Sequence, residues 1–276
     1  TMRSGDPPSL PRGLPAAPEH PTIYLILIAA FSQTMIMIYK APHAVFEAFE
    51  QMQYFVMVEV SAGGVTRMQA YYPHSLAVQV VEIDAEVARA ARDYFGYRGS
   101  VVVDDGRRYL QRTERRWDVI FVDAFLGGSP PWQLYTREAF ALYRSHLEPG
   151  GMVALNVVGS HLDPEQLPAL EAVVATARVV FPTVDVYPDP WEPDAYPTRN
   201  LFIALSDRPR RQPRQTGNPL GAESLAQALA RSSPVTVAAG RVLTDDSAPL
   251  EPLVRRTTEI LRSRALEYLP LSLLID

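Results

Sequence analysis

The chain has 276 residues, 47% of them hydrophobic, enough for one large α/β domain or a domain of ordinary size with appendages. Its 26 basic against 31 acidic residues give a net charge of −5, which argues against a generic nucleic-acid binder. With no cysteine there are no disulfides, thiol nucleophiles or Cys-based metal sites, and redox arguments leave the compartment open.

Residues 1–21 carry six prolines and no apolar period, and are expected to form a flexible or draped arm. Thr22–Tyr39 is the most apolar run, 18 residues with Ser32-Gln33-Thr34 near its centre. Its length is borderline for a membrane span, and no flanking basic cluster or small-residue cleavage site marks it as a signal peptide. Its Ile, Tyr and Thr content fits a buried hairpin broken near Ala30–Gln33. Residues 22–53 are therefore taken as a hairpin followed by a helix over Val45–Met52. From Tyr54 strands and helices alternate. Strands are expected at Tyr54–Val60, Leu76–Ile83, Ser100–Val103, Trp117–Val122 and Met152–Val157, with two late ones at Val184–Tyr187 and Asn200–Leu205. The helices between them are a segment from the glycine turn to Tyr72, Asp84–Tyr94, Gly106–Arg112, Thr136–Leu147 (ended by Pro149-Gly150-Gly151) and Pro164–Val180. Val/Ile-rich strands alternating with helices predict an α/β domain over 54–207, a mainly parallel sheet covered on both faces. Residues 208–276 are expected to be an Arg/Pro-rich connector and peripheral helices.

In such a sheet ligands bind beyond the carboxyl ends of the strands, near the point where strand order reverses. Glu59 ends the first strand and is followed by the small-residue turn Ser61-Ala62-Gly63-Gly64. The second strand closes on Glu82-Ile83, a place suited to a ribose diol because Glu82 lies 82 − 59 = 23 residues after Glu59. Asp104-Asp105-Gly106 follows the third strand and Asp123 the fourth. Any one of these acids alone would be a helix cap or a solvated loop residue. Their repetition along one rim points to a ligand with a ribose, an adenine and a positive charge, such as a sulfonium nucleoside. A P-loop is excluded, since the only lysine, Lys40, lies elsewhere. The five histidines show no metal-ligand spacing, so no metal is expected.

The blocks VVEIDAEVARAARDYFG (80–96), VVVDDGRRYL (101–110), WDVIFVDAFLGGSPPWQLYTREAF (117–140) and LEPGGMVALNV (147–157) resemble spermidine synthases and their relatives, as do RNLFIALSD (199–207) and VLTDDSAPLEPL (242–253). The resemblance implies a class I methyltransferase-like (Rossmann-like) fold, a transferase of polyamine biosynthesis, and decarboxylated S-adenosylmethionine or S-adenosylmethionine as co-substrate with an amine acceptor. It implies a cytoplasmic protein that pairs as a homodimer. By the same resemblance, Glu82 binds the ribose hydroxyls, Asp105 with Gly106 meets the adenine edge, and Asp123 binds and deprotonates the attacking amine. Tyr187 sits near the acceptor, while Gln33 and Glu47 match substrate-binding positions of the N-terminal hairpin and helix.

Four positions depart from that pattern. Leu126 stands where a second acceptor-binding aspartate is expected, Val45-Phe46 replaces a Tyr-His pair, and Ser61 replaces a glycine. Aminopropyl transfer, methyl transfer to another acceptor, and a non-catalytic nucleoside-binding role all remain open. So do two readings of Ser129-Pro130-Pro131-Trp132, a lid or a rigid connection, and two of Thr244-Asp245-Asp246, a closure over the rim or a cap for a C-terminal helix.

Overall fold

The computed structural model describes residues 54–58, 77–95, 97–124, 129–188, 197–208 and 234–268. The expectations for the N-terminal arm, hairpin and helix, for Glu59 and the turn after it, and for Leu126 lie outside these.

Within them the strands are β1 (Tyr54–Val58), β2 (Ala77–Glu82), β3 (Val101–Val103), β4 (Trp117–Val122), β5 (Leu147–Gly159), β6 (Thr183–Pro188) and β7 (Arg199–Ser206). They join one sheet in the order β3-β2-β1-β4-β5-β7-β6. The first five pair in parallel, and β7 runs antiparallel to both β5 and β6. The mainly parallel sheet is thus closed by an antiparallel pair at one edge. The segment between β6 and β7 is too short for a crossover helix, and antiparallel neighbours need none.

The helices are α1 (Ala85–Phe95), α2 (Gly106–Arg112), α3 (Arg137–Ser145), α4 (Leu167–Val180) and α5 (Leu250–Tyr268). From β2 the chain steps outward through α1 to β3, then back through α2 to β4. Right-handed crossovers place these two helices on opposite faces. On one face Val81, Ile120, Val122, Val153, Leu155, Leu201 and Ile203 share a core with residues of α2 to α5, among them Leu110, Phe140, Tyr143, Leu170, Val173 and Val254. On the other face the alternate residues Val80, Val119, Phe121, Ala154 and Phe202 are also buried. A sheet covered on both sides has no solvated face, so its strands read as unbroken apolar runs.

β5 starts earlier than expected. Leu147 pairs with Trp117, the register then shifts, and Met152 pairs with Val119. Pro149-Gly150-Gly151 is therefore a bulge inside the strand rather than a turn before it. Gly150 has φ 87°, where a side chain is disfavoured, and a Cβ on Gly151 would meet the Asp118 carbonyl at 2.7 Å.

In the region expected to be a connector and peripheral helices, residues 234–249 form no helix, with a turn at Asp245-Asp246, and the helix starts only at Leu250. Val235 donates to the Val186 carbonyl (2.9 Å) along the outer edge of β6. Gly240 crosses α4 so closely that a Cβ would lie 2.4 Å from the Glu171 carbonyl carbon. Leu243 N then donates to Thr176 Oγ1 (2.8 Å). These backbone pairings compete with helix formation and hold the segment flat against the domain.

Candidate active site

The strand order reverses between β1 and β4, so the crevice opens above the carboxyl ends of β1, β2 and β4. Glu82 closes β2 and is only 2% exposed. Its Oε1 accepts from Asp84 N (2.8 Å), and its main-chain carbonyl accepts from Asp104 N (3.0 Å), which ties the ends of β2 and β3 together. Asp84 in turn opens α1, accepting from Glu86 N through Oδ1 (2.8 Å). Beside them two apolar side chains face water, Ile83 at 67% exposure and Val103 at 51%. A single exposed aliphatic residue is unremarkable. Here two stand at the carboxyl ends of neighbouring strands, Val103 paired with Glu82 and Ile83 the next residue along, and leave apolar surface exposed at the rim.

The Asp104-Asp105 pair divides its work. Asp104 Oδ1 accepts from Asp105 N (2.8 Å) and Arg108 Nε (2.5 Å), and this Arg108 bond holds its carboxyl below the usual carboxylate range. Asp105 caps α2, its Oδ1 accepting from Arg108 N (2.8 Å). That leaves Oδ2 for a ligand. Gly106, the first residue of α2, is buried against the rim.

Asp123 follows β4 directly and is 7% exposed. Asn156 Nδ2 donates to its Oδ1 at 2.9 Å, a bond between two buried side chains. The register continues this pair into a row: Asp123 just past the end of β4, Asn156 on β5, Phe202 on β7 and Tyr187 on β6. Residues paired in this way share one face, so Asp123 and Tyr187 stand on the same side of the sheet, three strand spacings or about 14 Å apart. The row is dry: Asn156 is fully buried, Phe202 1% exposed and Tyr187 5%. Tyr135 supports it from the other side, donating its hydroxyl proton to the Asn156 carbonyl (3.3 Å).

A polar clasp joins the two halves of the rim. Arg107, next to Gly106, donates from Nη1 and Nη2 to Asp245 Oδ1 (2.8 Å) and Oδ2 (2.5 Å). Its Nη1 also reaches the Gln133 carbonyl (3.0 Å). Thr136 Oγ1 donates to Asp245 Oδ1 (2.7 Å) while accepting from Ala139 N (3.2 Å) as the cap of α3. The Arg107 guanidinium holds the Asp245 carboxyl below its ordinary range, and Asp245 raises Arg107 in turn. Among the described residues no cluster of three or more His, Asp or Glu is placed to hold a metal ion, and no helix is long and apolar enough to cross a membrane.

Residues 42–188 match the model of the spermine/spermidine synthase domain, 147 of the 276 residues. The chain belongs to that family. Among relatives of the spermine/spermidine synthase family, a probable polyamine aminopropyl transferase of Bifidobacterium longum is 34% identical over 93 residues, 33% of this chain and 21% of that protein. An N-terminal histidine N-methyltransferase of Emericella nidulans is 25% identical over 151 residues, 52% of this chain and 26% of that one. This chain spans between 21% and 48% of the length of the curated relatives it matches. The fold matches the crystal structure of a probable spermidine synthase from Corynebacterium glutamicum, with a TM-score of 0.54 and 21% identity over 81% of this chain and 80% of that one. The expected class I methyltransferase-like architecture is the one observed.

Of the residues singled out in the sequence, Glu82, Ile83, Asp105, Gly106 and Asp123 all come to the carboxyl rim, and Tyr187 joins the row of Asp123. Glu59, Ser61, Gly63, Gln33 and Glu47 lie outside the described residues. Within Ser129-Pro130-Pro131-Trp132, Pro130 is buried and Pro131 caps a short 3-10 turn, Trp132–Leu134. Thr244-Asp245-Asp246 does not cap α5, which starts only at Leu250; Asp245 serves the clasp instead. Sequence reasoning missed Asn156. The available signal was a lone carboxamide at an inward position of the apolar run MVALNVV.

Proposed function

We propose that this chain is a transferase of the aminopropyltransferase type, taking decarboxylated S-adenosylmethionine and an amine. The reading rests above all on Asp123, a buried carboxylate at the switch point, held by Asn156.

In this reading Glu82 accepts the ribose hydroxyl protons, Ile83 and Val103 lie against the adenine, and Asp105 Oδ2 takes a proton of its amino group. The attacking amine is bound neutral in the dry row beside Asp123. Its nitrogen lone pair forms a C–N bond to the carbon next to sulfur, the C–S bond breaks, and its electron pair returns to sulfur as a neutral thioether. The new ammonium gives its extra proton to Asp123. Alignment, exclusion of water and one carboxylate base are all the chemistry requires of the chain. Tyr187, at the far end of the row, is placed to limit how the acceptor lies. Pairing as a homodimer and the division into an arm, a hairpin, the α/β domain and a C-terminal appendage are part of the same proposal.

Calorimetry with methylthioadenosine and S-adenosylmethionine tests the nucleoside half. Saturable heat with either supports the reading, and none with both refutes it. Turnover with putrescine and the decarboxylated co-substrate tests the amine half. The match to a histidine N-methyltransferase supports a second reading, methyl transfer from S-adenosylmethionine to another nitrogen. That reading gains if S-adenosylmethionine binds and putrescine is not consumed.

Glu82→Gln is expected to weaken methylthioadenosine binding about tenfold, the cost of exchanging a charged acceptor for a neutral one. Glutamine keeps an oxygen for Asp84 N, so the unfolding midpoint should stay within about 2 °C of wild type for so small a change. Unchanged affinity would remove Glu82 from the ribose site.

A further inference from the structure

One tier outward from the Asp123–Asn156 row lies a second carboxamide with no role in the scheme above. Asn200 is the second residue of β7, opposite Val158, and is 6% exposed. The register places it diagonally across from Asn156, on the same face of the sheet. Asn156 Oδ1 and Asn200 Oδ1 are both shut off from solvent, and neither accepts a hydrogen bond. A buried acceptor left without a donor costs about 1–3 kcal/mol. Asn156 is accounted for on its donor side by the bond to Asp123, but its oxygen and that of Asn200 are not, and leucine at 200 would fill the place without the penalty. Each is an oxygen waiting for an N–H.

The chain also lacks the second aspartate expected at Leu126, which would have gripped the far end of a diamine. Asn200 stands two strand spacings from Asp123 and one residue pair further toward the rim, about 12 Å between α carbons. Two inward side chains with a hydrogen bond at each end close that gap around a short diamine. We infer that Asn200, with Asn156 beneath it, is a specificity-determining subsite that takes the N–H donors of the second nitrogen of a diamine acceptor. The inference rests on the proposed amine transfer for its meaning and on the two orphan oxygens for its location. Neutral oxygens accept the N–H groups without a matching full charge, so the subsite selects for a second nitrogen more weakly than a carboxylate would.

Calorimetry on the full chain, with and without saturating methylthioadenosine, compares 1,4-diaminobutane with n-butylamine. Wild type is expected to prefer the diamine about tenfold, the worth of a hydrogen bond to a charged group. Asn200→Leu should bring the ratio near one, with an unfolding midpoint equal to or above wild type because an orphan polar atom has been removed. Asn200→Asp, which adds a charge at the same place, should raise the ratio above wild type. An unchanged ratio in Asn200→Leu, or no diamine preference in wild type, overturns the inference. A lowered midpoint in Asn200→Leu with the ratio intact likewise assigns Asn200 to the fold alone. If methylthioadenosine does not bind while the diamine ratio still follows residue 200, the subsite stands and the proposed transfer fails.

Discussion

Asp123→Asn is expected to reduce aminopropyl transfer about 10²–10⁴-fold, the usual contribution of a positioned base, while methylthioadenosine affinity changes less than about twofold. The substitution suits the test because of what surrounds Asp123. Asn156 Nδ2 donates to Asp123 Oδ1 in a buried setting, so alanine would leave that donor unpaired and confuse lost chemistry with lost packing. Asparagine keeps an oxygen there while it removes the negative charge and the ability to take a proton. Single-turnover rates with putrescine, set beside calorimetric nucleoside binding, separate the two effects. A rate within threefold of wild type would mean that another group takes the proton. Loss of nucleoside binding together with rate would recast Asp123 as a binding residue.

The sheet was legible in the sequence because both of its faces are buried. Runs such as WDVIFV show no polar alternation, and Trp117–Val122 is found over the expected residues. Rim acids were legible for a related reason: a charged residue directly after an apolar run marks where a strand leaves the core, as Glu82 and Asp123 do. Pairing was not legible where local sequence does not set it. Pro149-Gly150-Gly151 has the composition of a turn, yet the register shift against Trp117–Val119 makes it a bulge. Thr244-Asp245-Asp246 looks like a helix start because serine, threonine and aspartate favour caps, whereas its partner Arg107 lies 138 residues away. Asn156 and Asn200 escaped notice because a carboxamide within an apolar strand has no period or motif to announce it. Only the cross-strand register brings them beside Asp123.

Breaking the clasp between α2 and the C-terminal segment is expected to cost about 2 kcal/mol at pH 7. Hydrogen bonds to charged groups contribute about 1.5–3 kcal/mol each, and here the sum is discounted because the Asp245 side chain is 40% exposed although that of Arg107 is only 15%. Asp245→Asn and Arg107→Leu should each lower the unfolding midpoint. The double variant should lose less than the sum of the two, the sign of direct coupling. The pH dependence follows from the depressed carboxyl of Asp245, whose first cause is the Arg107 hydrogen bond and whose further support is Thr136. A carboxyl held below its unfolded value of about 4 contributes its full stability above that pH and loses it as pH falls through the lower folded value. The difference between wild type and Asp245→Asn should therefore be constant from pH 7 to about 5 and shrink below about 4, where the carboxylate of the unfolded chain takes up a proton before the folded one does. A difference that does not change down to pH 3 would show that Asp245 acts through shape rather than charge. Arg107 directly follows Gly106 at the proposed adenine edge, and Gln133 and Thr136 follow the proposed base in the chain. Loosening the clasp should thus let the two halves of the rim separate, so Asp245→Asn should bind the nucleoside more weakly than wild type, by a margin that shrinks below about pH 4 as the stability difference does.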